Sequence, residues 1–178
     1  GHVSQMIPVS FNRRFVMKDG SVQTWQSLKN PEVVRAAGPI DPEISLIRIL
    51  SADGSKTRGV VSSFALHLDT VGGLLWSADY PYYIEQSLRK ALGDQVVSLF
   101  GAGTCGDINH VDPTRSERNS TEFIGSSLAN TIQTALVDLK PVTSQRLQVR
   151  SSTVELPLQE VVETDLMRAE QLLPAAKA

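Results

Sequence analysis

The sequence has a single cysteine, no long apolar run, and no marked excess of either charge. One thiol, Cys105, cannot form an intrachain disulfide, and it leaves the redox compartment open. No stretch is long and apolar enough to span a bilayer, so the chain is not expected to be an integral membrane protein. Seventeen Lys and Arg against nineteen Asp and Glu leave a net charge of -2, which gives no footprint for nucleic acid or an anionic membrane. The first residues, Gly1-His2-Val3-Ser4-Gln5, lack the charged start and apolar run of a secretory leader. A nucleotide cradle is also missing. Gly101-Ala102-Gly103-Thr104-Cys105-Gly106-Asp107 is glycine-rich, but it lacks the Lys and Ser/Thr that complete such a loop, and Asp107 would repel phosphate.

What is present suits a globular protein. A length of 178 residues, 41% hydrophobic and 20% charged, is enough for one domain over residues 1–178 with a sizeable core. The organising stretch is Val96 to Asp112, VVSLFGAGTCGDINHVD. Its apolar start reads as a strand buried inside a sheet. Its glycines let the backbone turn and approach other groups closely. Its end supplies Asp107, Asn109, His110 and Asp112. In open α/β sheets ligands sit beyond the carboxyl ends of the strands, where this polar cluster falls.

Towards the N-terminus, Ile7–Phe15 and Ser21–Trp25 flank a Lys18-Asp19-Gly20 turn and read as a pair of short strands. Arg13 and Arg14 read as a solvated, charged edge. Residues 27–43, with three prolines and scattered apolar residues, read as a long ordered loop. Ile44–Leu50 and Arg58–His67 form an antiparallel hairpin around Ser51-Ala52-Asp53-Gly54. Pro81 marks a helix start; Ile84, Leu88 and Leu92 repeat at helical spacing, and Gly93 ends the helix. Strand, helix, strand in that order favours a right-handed parallel crossover.

The longest predicted helix is Ser116–Leu139, with an inner cap at Ser120 or Thr121 and a stripe of Phe123, Ile124, Leu128, Ile132 and Leu136. Thr143–Leu156 reads as a strand with Leu147, Val149, Ser151 and Thr153 on one face. Glu160–Leu173 reads as an amphipathic helix, with a frayed tail from Pro174. The fold class is therefore α/β, a mixed sheet with helices packed on it.

His67, Asp69, Asp79, Asp107, Asn109 and His110 all lie in glycine-punctuated loops just after core strands. Imidazole and carboxylate are ligands that catalytic zinc uses, and a metal-activated water or an adjacent nucleophile hydrolyses amides and esters. The same residues have a plainer reading: the aspartates cap helices and satisfy loop amides, and His67 is a hydrogen-bonded structural residue. Cys105 reads either as a nucleophile with His110 or His67 as base, or as a small buried hydrophobe.

Several short motifs occur together in one order. They are Asn12-Arg13 with Asn30-Pro31; Gly38-Pro39-Ile40-Asp41-Pro42-Glu43 followed by Leu46; His67 followed by Ser77-Ala78-Asp79; and Gly106-Asp107-Ile108-Asn109. In these the chain resembles the neutral/alkaline non-lysosomal ceramidase family, over roughly Asn12 to Leu139, as a divergent bacterial-type member. The resemblance implies part of an N-terminal catalytic domain and a Zn2+-dependent hydrolase acting on an amide or ester bond of a small-molecule or lipid substrate. It also implies an extracytoplasmic or secreted location.

By the same resemblance His67 falls on a zinc-ligand position. Asp69 and Asp79 are carboxylates that would orient that imidazole. Asp107, Asn109 and His110 fall on the catalytic block. Asn109 stands where the family carries its nucleophilic serine, and an amide cannot accept an acyl group. The expectation is then attack by a metal-bound water, with Asn109 donating a hydrogen bond to the substrate or oxyanion. His110 replaces the family's following proline. The family's other zinc ligands have no counterpart here, so the chain reads as a piece of a longer protein that is not active by itself. A non-catalytic lipid- or glycan-binding relative and an incomplete scaffold are the alternatives.

Overall fold

The computed structural model describes residues 1–142, 146, 148–158 and 160–176. It forms two compact units, Gly1–Pro141 and Val142–Ala178. The first contains nine strands: β1 (His2–Ser4), β2 (Phe11–Asn12), β3 (Arg14–Met17), β4 (Val22–Thr24), β5 (Val33–Ala36), β6 (Glu43–Leu50), β7 (Thr57–Phe64), β8 (Val97–Ala102) and β9 (Ile108–Asn109). It also contains helices α1 (Tyr80–Leu92) and α2 (Thr121–Ala135). The second unit carries α3 (Glu163–Ala176).

The main sheet has the order β1-β6-β7-β8. β1 and β7 each pair antiparallel with β6, and β8 pairs parallel with β7, Gly59 facing Val97 through to Phe64 facing Ala102. The sheet is mixed and carries helices, so the fold is α/β. The predicted hairpin and the strand–helix–strand connection are both present.

The inward rows are Ile44 and Leu46 on β6, and Val60, Ser62 and Phe64 on β7. They meet Ile84 and Leu88 of α1 and Ile124, Leu128 and Ile132 of α2 in one apolar core. Such burial supplies the main stabilisation, about 1.5–3 kcal/mol for each large side chain. Asp79 caps α1 and Pro81 sits in its first turn, as expected. Ser120 caps α2, its oxygen accepting from the Phe123 amide at 3.1 Å. The two helices approach closely at Gly125, where an added Cβ would lie 2.5 Å from the Tyr80 carbonyl oxygen.

Several expectations are corrected. β8 is an edge strand rather than a central one, and its Val97 and Leu99 lie on an exposed face with Ile47 and Ile49. An almost wholly apolar run hides which residues face in, and here Ser98 and Phe100 do so. The loop 27–43 contains β5, which pairs with β3. α2 is shorter than Ser116–Leu139, and Phe123 is 41% exposed and outside the buried core stripe. Of the strand expected over Thr143–Leu156, residues 143–145 and Leu147 lie outside the described residues. The described residues 148–156, including Val149, Ser151 and Thr153, form no strand. Their alternation has no partner strand among the described residues, and a strand needs one to satisfy its amides. The last helix runs through Pro174 to Ala176 instead of stopping at Leu173.

Candidate functional site

The site is built where three backbone segments meet. β2 pairs with β9, Phe11 opposite Asn109 and Asn12 opposite Ile108. The Arg13 amide donates to the Asp107 carbonyl at 2.8 Å. The Gly103 amide donates to the Phe64 carbonyl at 2.9 Å, and a Cβ at Gly103 would sit 3.2 Å from the Ala65 backbone. Glycine at 103 thus lets the ends of β7 and β8 stay side by side, and the segment 105–110 falls beneath the loop that leaves β7.

His67 lies in that loop, half-buried. Its Nδ1 is 2.7 Å from the Ile108 carbonyl oxygen. A carbonyl only accepts, so Nδ1 carries a proton, and in the neutral ring the lone pair is on Nε2. Among the described residues Nε2 has no hydrogen-bond partner. Asp69, on the same loop, places Oδ1 3.3 Å from Nδ1 of His110. His110 is buried, and its Nδ1 makes no well-directed hydrogen bond to any described residue.

Asp79 organises the loop. Its Oδ1 accepts from the Tyr80 amide at 2.8 Å and the Thr70 hydroxyl at 2.7 Å. Its Oδ2 accepts from the Thr70 and Val71 amides at 2.9 and 3.0 Å. For this residue the plain reading, a helix cap that satisfies loop amides, describes the geometry. Tyr80 beside it donates its hydroxyl to the Leu66 carbonyl at 2.9 Å. Burial first, then the Asp79 charge, pushes the phenol pKa well above its ordinary value.

Asp107 turns its carboxylate to Asn12, whose Nδ2 donates at 2.7 Å. Cys105 is partly buried and packs against the apolar core. Asn109 is 1% exposed, and its Oδ1 accepts from the Val111 amide at 3.0 Å. That bond fixes the orientation of the carboxamide and leaves the NH2 as the group available to a ligand. Asn109 lines a cavity of about 230 Å3 with Asn12, Arg13, Trp25, Gln26 and Arg118. His67, Asp69, Asp79, Asp107 and His110 do not line it.

Sequence reasoning did not find Trp25, Gln26 or Arg118, and it read Arg13 as a solvated edge. Arg13 instead is half-buried. Its Nη2 donates to the Gly106 carbonyl at 2.7 Å, and its guanidinium lies 5.7 Å from the Trp25 ring centre. The one local signal was the pairing of Asn12-Arg13 with the later Gly106-Asp107 in a known motif order.

Among the described residues no group of three or more His, Cys, Asp or Glu is placed to hold a metal. His67 offers a single free imidazole nitrogen. These residues do not by themselves make a zinc site, and no chemical step is assigned to one.

Two solved structures share this architecture. One is a neutral ceramidase from Pseudomonas aeruginosa, with a TM-score of 0.53 and 20% identity over 75% of this chain. The other is a ceramidase complexed with C2, with a TM-score of 0.54 and 20% identity over the same share. The chain spans about a fifth of each, 21% of its length. No family model matches the chain, and no curated protein matches it. The fold is therefore ceramidase-like. No helix among the described residues is long and apolar enough to cross a membrane.

Proposed function

We propose that the chain contributes part of the active site of a hydrolase related to the neutral ceramidases, cleaving an amide or ester bond in a small or lipid-like substrate. The observation that carries this reading is the junction of His67 with the glycine-rich bend. In two consecutive residues, Ile108 fixes the His67 imidazole by its carbonyl while Asn109 brings a buried carboxamide to the cavity lining. The ceramidase-like fold supports it.

On this reading the Asn109 NH2 donates to the substrate carbonyl oxygen as negative charge develops there, the role of an oxyanion donor. His67 presents Nε2 as a base or as one ligand of the expected Zn2+, with its tautomer set by the Ile108 carbonyl. His110, adjacent to Asn109 and facing Asp69, positions the end of β9. Asp107 braces Asn12 at the cavity wall. The remaining ligands of a zinc ion, and an extracytoplasmic location, belong to the proposal as parts of a longer protein.

The test uses the protein produced from the natural reading frame that encodes these residues. Release of fatty acid from N-acyl-sphingosine and from a fluorogenic acyl ester is measured, with zinc determined on the same sample. Turnover that falls at least about 100-fold in Asn109→Ala and in His67→Ala, with zinc lost in the latter, supports the reading. Saturable binding of a lipid or glycan without turnover assigns the non-catalytic reading instead. Turnover unchanged in both variants overturns the site.

A further inference from the structure

We propose that the cavity beside Asn109 binds an oxyanion, the carboxylate or phosphate group of a small molecule, between Arg13 and Arg118. The inference rests on the hydrolase reading only for what it adds to it: there, the anion is the carboxylate that cleavage leaves at the Asn109 NH2.

Charge is the first argument. Two guanidinium groups line a cavity of about 230 Å3, and no carboxylate does, on a chain whose net charge is -2. Arg118 is exposed and has no hydrogen bond or ion pair to any described residue. Arg13 has no carboxylate partner among the described residues. It commits Nη2 to the Gly106 carbonyl, which aims the fork and leaves four of its five N–H donors. Planar guanidinium forks match carboxylate and phosphate oxygens.

Asn109 is the second argument. Its side chain is almost wholly buried, lines the cavity, and has its oxygen occupied by Val111. Its NH2 has no partner among the described residues, so it is a donor open to an acceptor. Asn109 and the two arginines therefore bring donors to the lining of one cavity.

The third argument is backbone strain. Trp25 has φ 64, a left-handed conformation rare for a large side chain. Its amide donates to the Arg13 carbonyl at 2.9 Å, which holds the turn. The indole remains 52% exposed, so its own burial does not explain the strain. The conformation places the ring against the Arg13 guanidinium and makes it one wall of the cavity. Phe15 and Val111 add apolar wall, suited to a short carbon chain bearing the anion.

The experiment reads Trp25 fluorescence in the 178-residue chain carrying Trp76→Phe, which leaves Trp25 as its single tryptophan. Sodium phosphate, sodium butyrate and neutral butyramide are titrated against sodium chloride at matched ionic strength. The expected result is a saturable change with phosphate or butyrate, whichever source the anion has. Affinity is expected to drop at least about tenfold in Arg118→Ala, to drop less in Arg118→Lys, which keeps the charge but not the fork, and to weaken as salt rises. Arg118 is exposed and makes no hydrogen bond or ion pair to any described residue, so its removal takes no polar contact from the fold. An equal response to butyramide, an unchanged affinity in Arg118→Ala, or no saturable response overturns the proposal. Binding is measured without turnover, so its failure leaves the hydrolysis test standing and is distinguished from failure of the hydrolase reading.

Discussion

The His67 imidazole is held 2.7 Å from the carbonyl oxygen of Ile108, so the loop after β7 and the strand β9 are tied by one side chain. Removing that side chain leaves a part-buried carbonyl without its donor. His67→Ala is expected to lower stability by about 1–2 kcal/mol. His67→Asn, whose amide nitrogen reaches nearly the Nδ1 position, recovers most of the loss. Urea unfolding of the three proteins measures both effects, and equal stability of the Asn and Ala variants would count against the bond.

Asp79 carries more. It accepts four hydrogen bonds and holds a backbone at φ 55, ψ -154, a region that non-glycine residues avoid. Asp79→Ala is expected to cost about 2–4 kcal/mol. Asp79→Asn remains strongly destabilising, because each carboxylate oxygen faces two donors and an NH2 at either position opposes them. Chemical denaturation measures the cost. Proteolysis at the exposed Leu74–Trp76 tip reports whether the loop is released.

Tyr80 gives a pH prediction with a definite sign. Its folded-state pKa is raised above the ordinary 10.0, chiefly by burial and next by the Asp79 charge. The fold keeps the protonated phenol. Its contribution is therefore complete below pH 10 and declines as pH rises past 10, where the unfolded chain releases a proton that the folded chain retains. Tyr80→Phe is expected to lose about 1–2 kcal/mol at neutral pH through the unpaired Leu66 carbonyl. It should also show a shallower fall in stability between pH 9 and 11. Parallel slopes for the two proteins would remove Tyr80 as the cause.

Gly125 sets the spacing of α1 and α2. A methyl group there would lie 2.5 Å from the Tyr80 carbonyl oxygen and 2.6 Å from the Tyr83 Cβ. Neither atom is the far end of a flexible chain, so the helices must separate. Gly125→Ala is expected to destabilise by about 1–3 kcal/mol, although alanine gains up to about 1 kcal/mol in helix propensity. Thermal unfolding decides the sign, and a stabilised variant would show that the interface yields easily.

The sequence by itself determined the local elements and much of the local chemistry. The β6–β7 hairpin, the caps at Asp79 and Ser120 and the apolar stripe of α1 rest on neighbours a few residues apart, and residue spacing records such interactions. The clustering of His67 with the bend at 107 was also legible, because glycine-broken strand ends mark where polar groups gather. Tertiary structure alone decided that β8 is an edge, that Arg13 meets Trp25, and that Arg118 and Asn109 share a cavity. Those facts depend on hydrogen bonds such as Arg13 to Asp107, between segments far apart in the chain. No periodicity or capping signal encodes such a pairing, because it forms only when the core has brought both segments to the same end of the sheet.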